Sequence, residues 1–265
     1  MNTGSKKIAF CTISDNSYYE PCSVMIYSFL KNNNWYDGDI IVFYDDLTEE
    51  NKSKIMRVSD KIKFSQINTD DYNLIFKATN GITADTLKKA FYKFDIFKLY
   101  DYDFVVWADS DMVIIKDIRE IFEFDYDFGW CEDRVSNENY KYFNTGFFFF
   151  KTEKIKDGSF YQDLFNFTEN LKRDSFKKEL TFRGLYADQC VLNERVDIFF
   201  ENIISLPADL YNVPQTENNF VKVINSKIIH YCGGYKPWTV DNPHYVSHYI
   251  WYQYYYLMNK NVNLR

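Results

Sequence analysis

Long apolar runs are absent from the sequence. No segment approaches the roughly 18 consecutive apolar residues that a membrane-spanning helix requires. The first residues, MNTGSKKIAF, contain no apolar core of a secretory signal before the first strand-like run. We therefore expect a soluble, cytoplasmic protein without a transmembrane segment.

Cysteine is scarce and follows no motif. The five cysteines are widely spaced, and no two of them form a CxxC pair. Their odd number and irregular spacing favour neither a disulfide framework nor a zinc site. A reducing compartment such as the cytosol fits this usage.

Positive charge is also in deficit. Lys and Arg number 31 against 38 Asp and Glu, which gives a formal net charge of -7. This balance argues against the broad basic surface that nucleic-acid binders use, so we expect no nucleic-acid partner. The composition is nevertheless globular, with 46% hydrophobic and 20% aromatic residues.

Short apolar runs alternate with segments of helical spacing in the first part of the chain. Runs such as KIAFCT and DIIVFY have the length and composition of buried strands. Thr48, three residues before Asn51, is a typical helix start. The pattern predicts strands at residues 7–12, 39–44, 61–66 and 103–108, and helices at residues 18–30, 48–58 and 84–99.

The same alternation continues to the C-terminal part. It predicts strands at residues 128–131, 146–151 and 227–231, and helices at residues 160–171 and 187–196. Strands that alternate with helices predict an α/β fold in which helices flank a Rossmann-like, mostly parallel sheet. Because no repeat or linker interrupts the chain, residues 1–265 are interpreted as one domain.

Residues 239–265 form an aromatic-rich tail. Within it, the stretch HYVSHYIWYQYYYL, residues 244–257, predicts a helix. Helices that lie on membranes usually carry many basic residues, and this one carries few. We therefore expect the helix to dock on the domain, with weak peripheral membrane contact or partner binding as the alternative.

The stretch WADSDM places Asp109 and Asp111 directly after a predicted buried strand. Ligands of open parallel sheets collect outside the carboxyl ends of the strands. Two carboxylates at one point repel each other unless a cation neutralises them, and oxygen ligands suit Mn²⁺ or Mg²⁺. The motif predicts a divalent metal site, with a solvated turn as the alternative.

A second motif, HYCGGYKPW, begins at His230, which a predicted strand delivers. A neutral imidazole is a good ligand for a borderline ion and favours Mn²⁺ over Mg²⁺. Gly233 and Gly234 expose the backbone, so that N–H groups could approach an anion, and Lys236 follows closely. The alternative is a hairpin with a core histidine.

Together, WADSDM and HYCGGYKPW resemble glycosyltransferase family 8, the group of glycogenin and the bacterial lipooligosaccharide galactosyltransferases. Two further stretches agree: FNTG at residues 143–146 and ADQCVLN at residues 187–193. The resemblance extends from about residue 7 to residue 238. It implies a GT-A type fold and retaining transfer of a hexose, glucose or galactose, from a UDP-sugar to an acceptor hydroxyl.

The resemblance also implies the roles of individual residues around the metal and the nucleotide. Asp109, Asp111 and His230 would bind Mn²⁺, with Mg²⁺ as the alternative ion, and Lys236 and Gly233 would contact the donor diphosphate. The first loop, in the stretch CTISDNSYYEP at residues 11–21, would hold the uridine. Its implied contacts with base or ribose are Thr12, Ser14 and Asn16, with Tyr19 stacked on uracil and Tyr18 as a near neighbour.

Further residues would hold the rest of the donor. Ser110 would reach the ribose, and Lys93 would approach the phosphate and sugar unless it is a solvated lysine on an amphipathic helix. The hexose would be lined by Asn144, Asp188 and Gln189, and the implied catalytic residues are Asp188, Gln189 and Lys236. Leu185 stands where glycogenin-like members carry an aspartate, which argues against self-glucosylation in the glycogenin manner.

Retention could follow front-face attack by the acceptor or a transient adduct with a side chain near the Asp188–Gln189 pair, and we favour the former. The acceptor could be a glycan, a lipid-linked sugar or a protein, and the oligomeric state is not indicated. Two other classes are a catalytically silent UDP-sugar-binding protein and a metal-dependent phosphoryl-transfer or sugar-phosphate hydrolase. The latter would need a glycine-rich phosphate loop, which the sequence lacks.

Overall fold

A seven-stranded sheet lies at the centre of the computed structural model, which describes residues 6–80, 85–133, 142–170 and 187–262. A three-stranded sheet accompanies it. The strands are β1 Ile8–Ile13, β2 Asp39–Tyr44, β3 Ile62–Gln66, β4 Phe104–Ala108, β5 Met112–Ile114, β6 Phe128–Glu132, β7 Phe143–Lys151, β8 Ile203–Leu206, β9 Val213–Pro214 and β10 Ile228–His230.

The large sheet has the order β3-β2-β1-β4-β7-β6-β8. Strands β3, β2, β1 and β4 are parallel, β7 is antiparallel to both of its neighbours, and β8 is parallel to β6. This confirms the expected α/β fold with a mixed, mostly parallel sheet. The strand predicted at residues 146–151 is longer than expected and runs against the others.

The small sheet has the order β5-β10-β9, in which β10 is antiparallel to β5 and parallel to β9. Its strands have two or three residues each, too short for a periodic pattern to predict β5 and β9. The strand predicted at residues 227–231 is present as β10. It belongs to this small sheet and not to the large one.

Helices cover both faces of the large sheet. They are α1 Tyr19–Asn32, α2 Glu49–Met56, α3 Asn73–Ala78, α4 Ser159–Glu169, α5 Asp188–Phe199, α6 Ala208–Tyr211, α7 Phe220–Asn225 and α8 Val246–Val262. Helix α2 begins as predicted, because the side chain of Thr48 accepts a hydrogen bond from the Asn51 N–H at 3.3 Å. Helix α4 ends at Glu169, and residue 171 of the predicted helix lies outside the described residues.

The helix predicted at residues 84–99 is a 3₁₀ helix, Asp85–Lys98, and residue 84 lies outside the described part. Phe91, Phe94 and Phe97 on this helix are fully buried at intervals of three residues. Side chains three apart eclipse each other in a 3₁₀ helix, so this spacing presents all three rings to the sheet. The prediction of a helix here is therefore correct, and the structure adds its 3₁₀ type.

The core consists of two clusters, one on each face of the large sheet. Strand β7 shows how one run of sequence supplies both, because successive side chains of a strand point to opposite faces. Phe147 and Phe149 pack in one cluster, while Phe148 and Phe150 pack in the other. All four rings are fully buried.

Helix α8 realises the helix predicted in the aromatic tail, and it packs on α1. Trp251 and Tyr254 are buried, and the Tyr254 hydroxyl accepts a hydrogen bond from Asn32 Nδ2 at 2.8 Å. These contacts agree with the expectation that the helix docks on the domain. None of the helices in the described ranges combines the length and apolarity that a bilayer crossing demands.

Gly129 in β6 should be irreplaceable for packing. A Cβ atom there would lie 2.1 Å from Cε2 of Phe149 and 2.9 Å from Cγ2 of Ile204. We expect Gly129→Ala to lower the free energy of unfolding by about 1–3 kcal/mol through overpacking, measured by urea denaturation. Gly234→Ala is the control, because a Cβ there meets no atom within 4 Å. Equal unfolding midpoints for the two variants would contradict the prediction.

Candidate active site

The sheet topology brings two acids and a histidine together. Asp109 and Asp111 follow β4 and precede β5, and His230 is the last residue of β10. Because β10 pairs with β5, His230 lies opposite Met112, and the Tyr231 N–H donates to the Asp111 carbonyl at 2.8 Å. The three side chains therefore meet at the carboxyl end of β4, although more than a hundred residues separate His230 from the two acids in sequence.

The three side chains fit a divalent cation. Ligand atoms of Asp109, Asp111 and His230 all lie within 4.8 Å of one another, and Nε2 of His230 lies 3.2 Å from Oδ1 of Asp111. Bonds of roughly 2.1 Å to one ion would place such atoms about 3–4 Å apart, so small adjustments suffice. Two carboxylates and one imidazole suit a borderline or hard ion.

Asn212, which the sequence analysis did not single out, orients His230. Its Oδ1 lies 2.9 Å from Nδ1 of His230, and both side chains are buried. Since the amide oxygen only accepts, Nδ1 carries a proton and Nε2 faces the acids. A single polar residue between α6 and β9 belongs to no periodic pattern, so no sequence signal could have identified it.

Gly146, the last residue of the FNTG stretch, leaves the room that the histidine needs. A Cβ atom at this position would lie 2.7 Å from Cε1 of His230 and 2.5 Å from Cε of Met112. Its carbonyl accepts a hydrogen bond from the Asp109 N–H at 2.8 Å. The glycine therefore allows β7 to approach His230 and Asp109 closely.

Lys236 lies beside the acid pair. Its ammonium forms an ion pair with Oδ2 of Asp111 at 2.5 Å and lies over the rings of Tyr18 and Trp238. Burial alone would raise the pKa of Asp111, but His230 and Lys236 outweigh it and hold the pKa well below its usual value. Burial opposes the charge on Lys236, but Asp111 prevails and raises the pKa of this lysine.

Lys93 is buried, so the alternative of a solvated lysine is wrong. Its Nζ lies 2.8 Å from Oδ2 of Asp188, 3.2 Å from Oδ1 of Asp109 and 2.8 Å from the Thr145 carbonyl. Burial acts against its charge, but the two carboxylates raise the pKa of Lys93 overall. For Asp109 burial is the larger influence, and its pKa is raised despite Lys93.

A network of amides and acids continues from Lys93 along α5. Oδ2 of Asp188 also accepts from the Thr145 hydroxyl at 2.8 Å. Gln189 Oε1 accepts from Asn144 Nδ2 at 3.3 Å, and both amide groups donate to Oδ2 of Asp133. The structure thus brings Asn144, Asp188 and Gln189 together, and adds Asp133, which the sequence analysis did not identify.

The first loop places its predicted residues unevenly. Thr12 is fully buried, and its hydroxyl has no hydrogen-bond partner among the described residues. Ser14 is buried beside it. The side chain of Asn16 is tied to the next loop, because Oδ1 accepts from the Thr48 N–H at 2.9 Å and Nδ2 donates to the Asp46 carbonyl.

Of the two neighbouring tyrosines, Tyr18 lies nearer to the acid pair. Its ring meets Trp238 edge to face at 5.9 Å and lies under the Lys236 ammonium. Tyr19 instead packs against the core and lies under the ammonium of Lys54. Tyr18, and not Tyr19, therefore contacts Lys236 and Trp238 beside the acid pair.

The remaining predicted positions are Ser110, Gly233 and Leu185. Ser110 is buried between the two acids. Gly233 has φ +86°, and a Cβ atom there would meet nothing within 4 Å, so the loop is open on that side. Leu185 lies outside the described residues.

The family model of glycosyl transferase family 8 matches residues 8–242 of the chain. General stress protein A of Bacillus subtilis (strain 168) is 22% identical over 267 residues, and the match covers 91% of each chain. Putative UDP-glucuronate:xylan alpha-glucuronosyltransferase 3 of Arabidopsis thaliana is 22% identical over 248 residues. That match covers 89% of this chain, which spans about a third of the plant protein, 35%.

Among solved structures, the crystal structure of an active-site mutant of LgtC is similar, with a TM-score of 0.68. Its identity is 15%, and the match covers 93% of this chain and 94% of that one. At this identity the likeness concerns the fold alone. With the sheet order described above, it identifies the fold as GT-A.

Asp109 and Asp111 should affect stability in opposite directions when metal is removed with EDTA. The lowered pKa of Asp111 means that its ionised form stabilises the fold above the ordinary pKa of 3.8, and that this contribution disappears as the pH falls. The raised pKa of Asp109 means that its ionised form costs stability at pH 7.

At pH 7 we therefore expect Asp111→Asn to lower the free energy of unfolding by about 1–3 kcal/mol, while Asp109→Asn leaves it unchanged or raises it. Urea denaturation from pH 3 to pH 7 measures both effects, and the Asp111→Asn deficit should shrink towards pH 3. Equal losses for the two variants at pH 7 would contradict the opposite pKa directions.

Proposed function

Because the chain belongs to glycosyltransferase family 8, we propose that it moves a hexose, glucose or galactose, from a UDP-sugar to an acceptor hydroxyl with retention of configuration. One observation carries the proposal. Asp109 and Asp111 are more than a hundred residues from His230 in the sequence, yet the ligand atoms of all three lie within 4.8 Å of one another. Two carboxylates at one point are costly without a cation.

Asp109, Asp111 and His230 would hold Mn²⁺, which we prefer to Mg²⁺ because one ligand is an imidazole. A bound divalent ion would supply Lewis-acid stabilisation of the negative charge on the departing diphosphate, worth several kcal/mol. The hydrogen bond from His230 Nδ1 to Asn212 orients the ring so that Nε2 is aimed at this position.

The loop at residues 232–236 would bind the donor diphosphate. The N–H groups of Gly233, Gly234 and Tyr235 make no hydrogen bond to other described residues, and Gly233 and Tyr235 both have positive φ. Alternating backbone conformations of this kind form anion-binding concavities. Lys236, at the end of the loop, would stabilise the phosphate charge that develops as the glycosidic bond breaks.

The nucleotide would be bound by the first loop and by Ser110, which lies between the two acids. Thr12, Ser14 and Asn16 would hold the uridine with Ser110 at the ribose, and Tyr18 supports stacking on uracil better than Tyr19 does. The buried hydroxyl of Thr12, which has no hydrogen-bond partner among the described residues, is the observation that most favours a ligand here, because buried polar groups usually find a partner. The name of the plant relative includes a UDP-sugar donor, which agrees with this nucleotide.

The sugar would lie over Lys93, Asn144, Asp188 and Gln189. Retention by a covalent adduct needs a free nucleophile, but Oδ2 of Asp188 is already bound by Lys93 and by the Thr145 hydroxyl. This favours front-face attack, in which the leaving phosphate oxygen takes the acceptor proton. Asp188 would then orient the sugar, and Gln189 would stabilise the cationic ring.

The acceptor class is left open by this site: a glycan, a lipid-linked sugar or a protein side chain each supplies the hydroxyl that the reaction needs. A cytoplasmic location, where UDP-sugars are made, is part of the proposal. We also propose that residues 1–265 act as one domain.

Turnover of UDP-sugars tests the proposal. We expect UDP release with Mn²⁺ from at least one of UDP-glucose and UDP-galactose, tested with and without sugar acceptors, and loss of activity with EDTA. Asp111→Asn should reduce release at least a hundredfold, on the order expected for a lost metal ligand. Asp60→Asn is the matched control, because Asp60 is exposed and lies outside the site.

Full Mn²⁺-dependent release by Asp111→Asn would refute the metal assignment. Binding of UDP-sugars without release from any donor, with every acceptor class present, would instead identify a catalytically silent UDP-sugar-binding protein.

Asn212 should control the affinity for the ion. Asn212→Leu removes the acceptor that fixes the imidazole of His230, so we expect Mn²⁺ affinity to fall about 10–100-fold in isothermal titration calorimetry. Asn212→Asp keeps an acceptor at the same place and should retain the affinity to a much greater degree. Unchanged binding by the leucine variant would show that His230 needs no such support.

A further inference from the structure

A buried glutamine lies beneath the loop at residues 232–236. Gln215 follows β9 and is 1% exposed. Its Nε2 donates to the Cys232 carbonyl at 2.9 Å and to the Gly234 carbonyl at 2.7 Å. Both hydrogens of the amide are therefore used to hold two alternate carbonyl groups of the loop on the protein side.

The orientation of this amide is fixed by a buried histidine. Nε2 of His248, in the first turn of α8, lies 3.2 Å from Oε1 of Gln215. Nδ1 of the same ring accepts the His244 N–H at 3.4 Å. His248 must then be neutral with its proton on Nε2. In the opposite tautomer, the Nδ1–H would face the His244 N–H, so that two donors would meet. Oε1 of Gln215 would also lose the hydrogen that Nε2 of His248 supplies.

The backbone of Gln215 is fixed as well. Its N–H donates to the His230 carbonyl at 3.0 Å, and its carbonyl accepts from the Ser247 hydroxyl at 2.9 Å. The Tyr231 hydroxyl in turn donates to the Ser247 carbonyl at 2.8 Å. Gln215 therefore connects the metal-ligand strand β10, the loop and the start of α8.

The held carbonyls determine what the loop presents on its other side. With the Cys232 and Gly234 carbonyls bound beneath, the N–H groups between them have no protein partner in the described part of the chain. Tyr235 also has φ +56°, a conformation that costs a non-glycine residue about 1–3 kcal/mol unless neighbouring contacts hold it. Gln215 supplies such contacts on the residue before it.

We infer that Gln215, held in place by neutral His248, is a positioning residue that shapes the loop at residues 232–236 to receive the donor diphosphate. The inference rests on the proposed function for the identity of the anion. It assigns a role in nucleotide binding to two residues that do not reach the nucleotide. If Gln215 only stabilised the fold, its replacement would weaken the binding of UDP and of uridine to the same degree.

Binding of UDP and of uridine in the presence of Mn²⁺ tests this role. Gln215→Met keeps the length of the side chain and removes both donors, so UDP affinity should fall at least about tenfold while uridine affinity stays within about twofold. Asn33→Leu is the matched control. It removes a buried amide that donates to the Phe29 carbonyl and accepts from the Ile118 N–H, at the far end of α1.

The control should lose stability and keep the ratio of UDP to uridine affinity. UDP affinity within twofold of wild type in Gln215→Met, or equal losses for UDP and uridine, would overturn the inference. His248→Leu leaves Gln215 in place and should give a smaller loss in the same direction, which keeps the test available if the first variant does not fold.

Two measurements without nucleotide separate this inference from the proposed function. The crystal structure of ligand-free Gln215→Met should have residues 232–236 displaced or disordered, and an unchanged loop would overturn the inference even if UDP binds. In the wild-type protein, the ¹⁵N shifts of His248 should identify the Nε2–H tautomer, and the Nδ1–H tautomer would overturn it. Failure of wild type to bind UDP would reject the proposed function alone.

Discussion

The repulsion between Asp109 and Asp111 is the constraint on which the site depends. Each carboxylate has its own ammonium group: Lys93 approaches Asp109, and Lys236 approaches Asp111, while Nε2 of His230 also lies beside Asp111. Lys93, Lys236 and His230 belong to the 3₁₀ helix, the loop at residues 232–236 and β10. Three segments that are distant in the sequence therefore converge on the acid pair.

The pKa values of the two acids are shifted in opposite directions, and this asymmetry suits an exchange of partners. At Asp111 the neighbouring groups outweigh the effect of burial and lower the pKa, whereas at Asp109 burial is the larger effect and raises it. Under the proposed function, a divalent ion held by Asp109, Asp111 and His230 would compensate the charge of Asp111 in place of Lys236. The ammonium of Lys236 would then be available to a phosphate.

The sequence predicted those features that a pattern or motif encodes. Apolar runs predicted the long strands, and the motifs WADSDM and HYCGGYKPW predicted that Asp109, Asp111 and His230 lie together. Other residues were not predictable, because Asn212, Gln215 and His248 are single polar residues whose partners are set only by tertiary contacts. The helix at residues 84–99 was predicted without its 3₁₀ type, because its apolar residues fit both periods. Between Tyr18 and Tyr19, sequence could not tell which ring meets Trp238.

The short pairing of β5 with β10 has a consequence for assembly. Alternate residues of a strand point to opposite faces, so a slip of this ladder by one step would put Ile229 where His230 now stands. The slipped chain would bury an imidazole among apolar side chains and offer an alkyl group to the acids. An ion that binds through the imidazole would therefore stabilise only those molecules in which β5 and β10 pair in the correct register. It would favour the correctly paired chains as they fold.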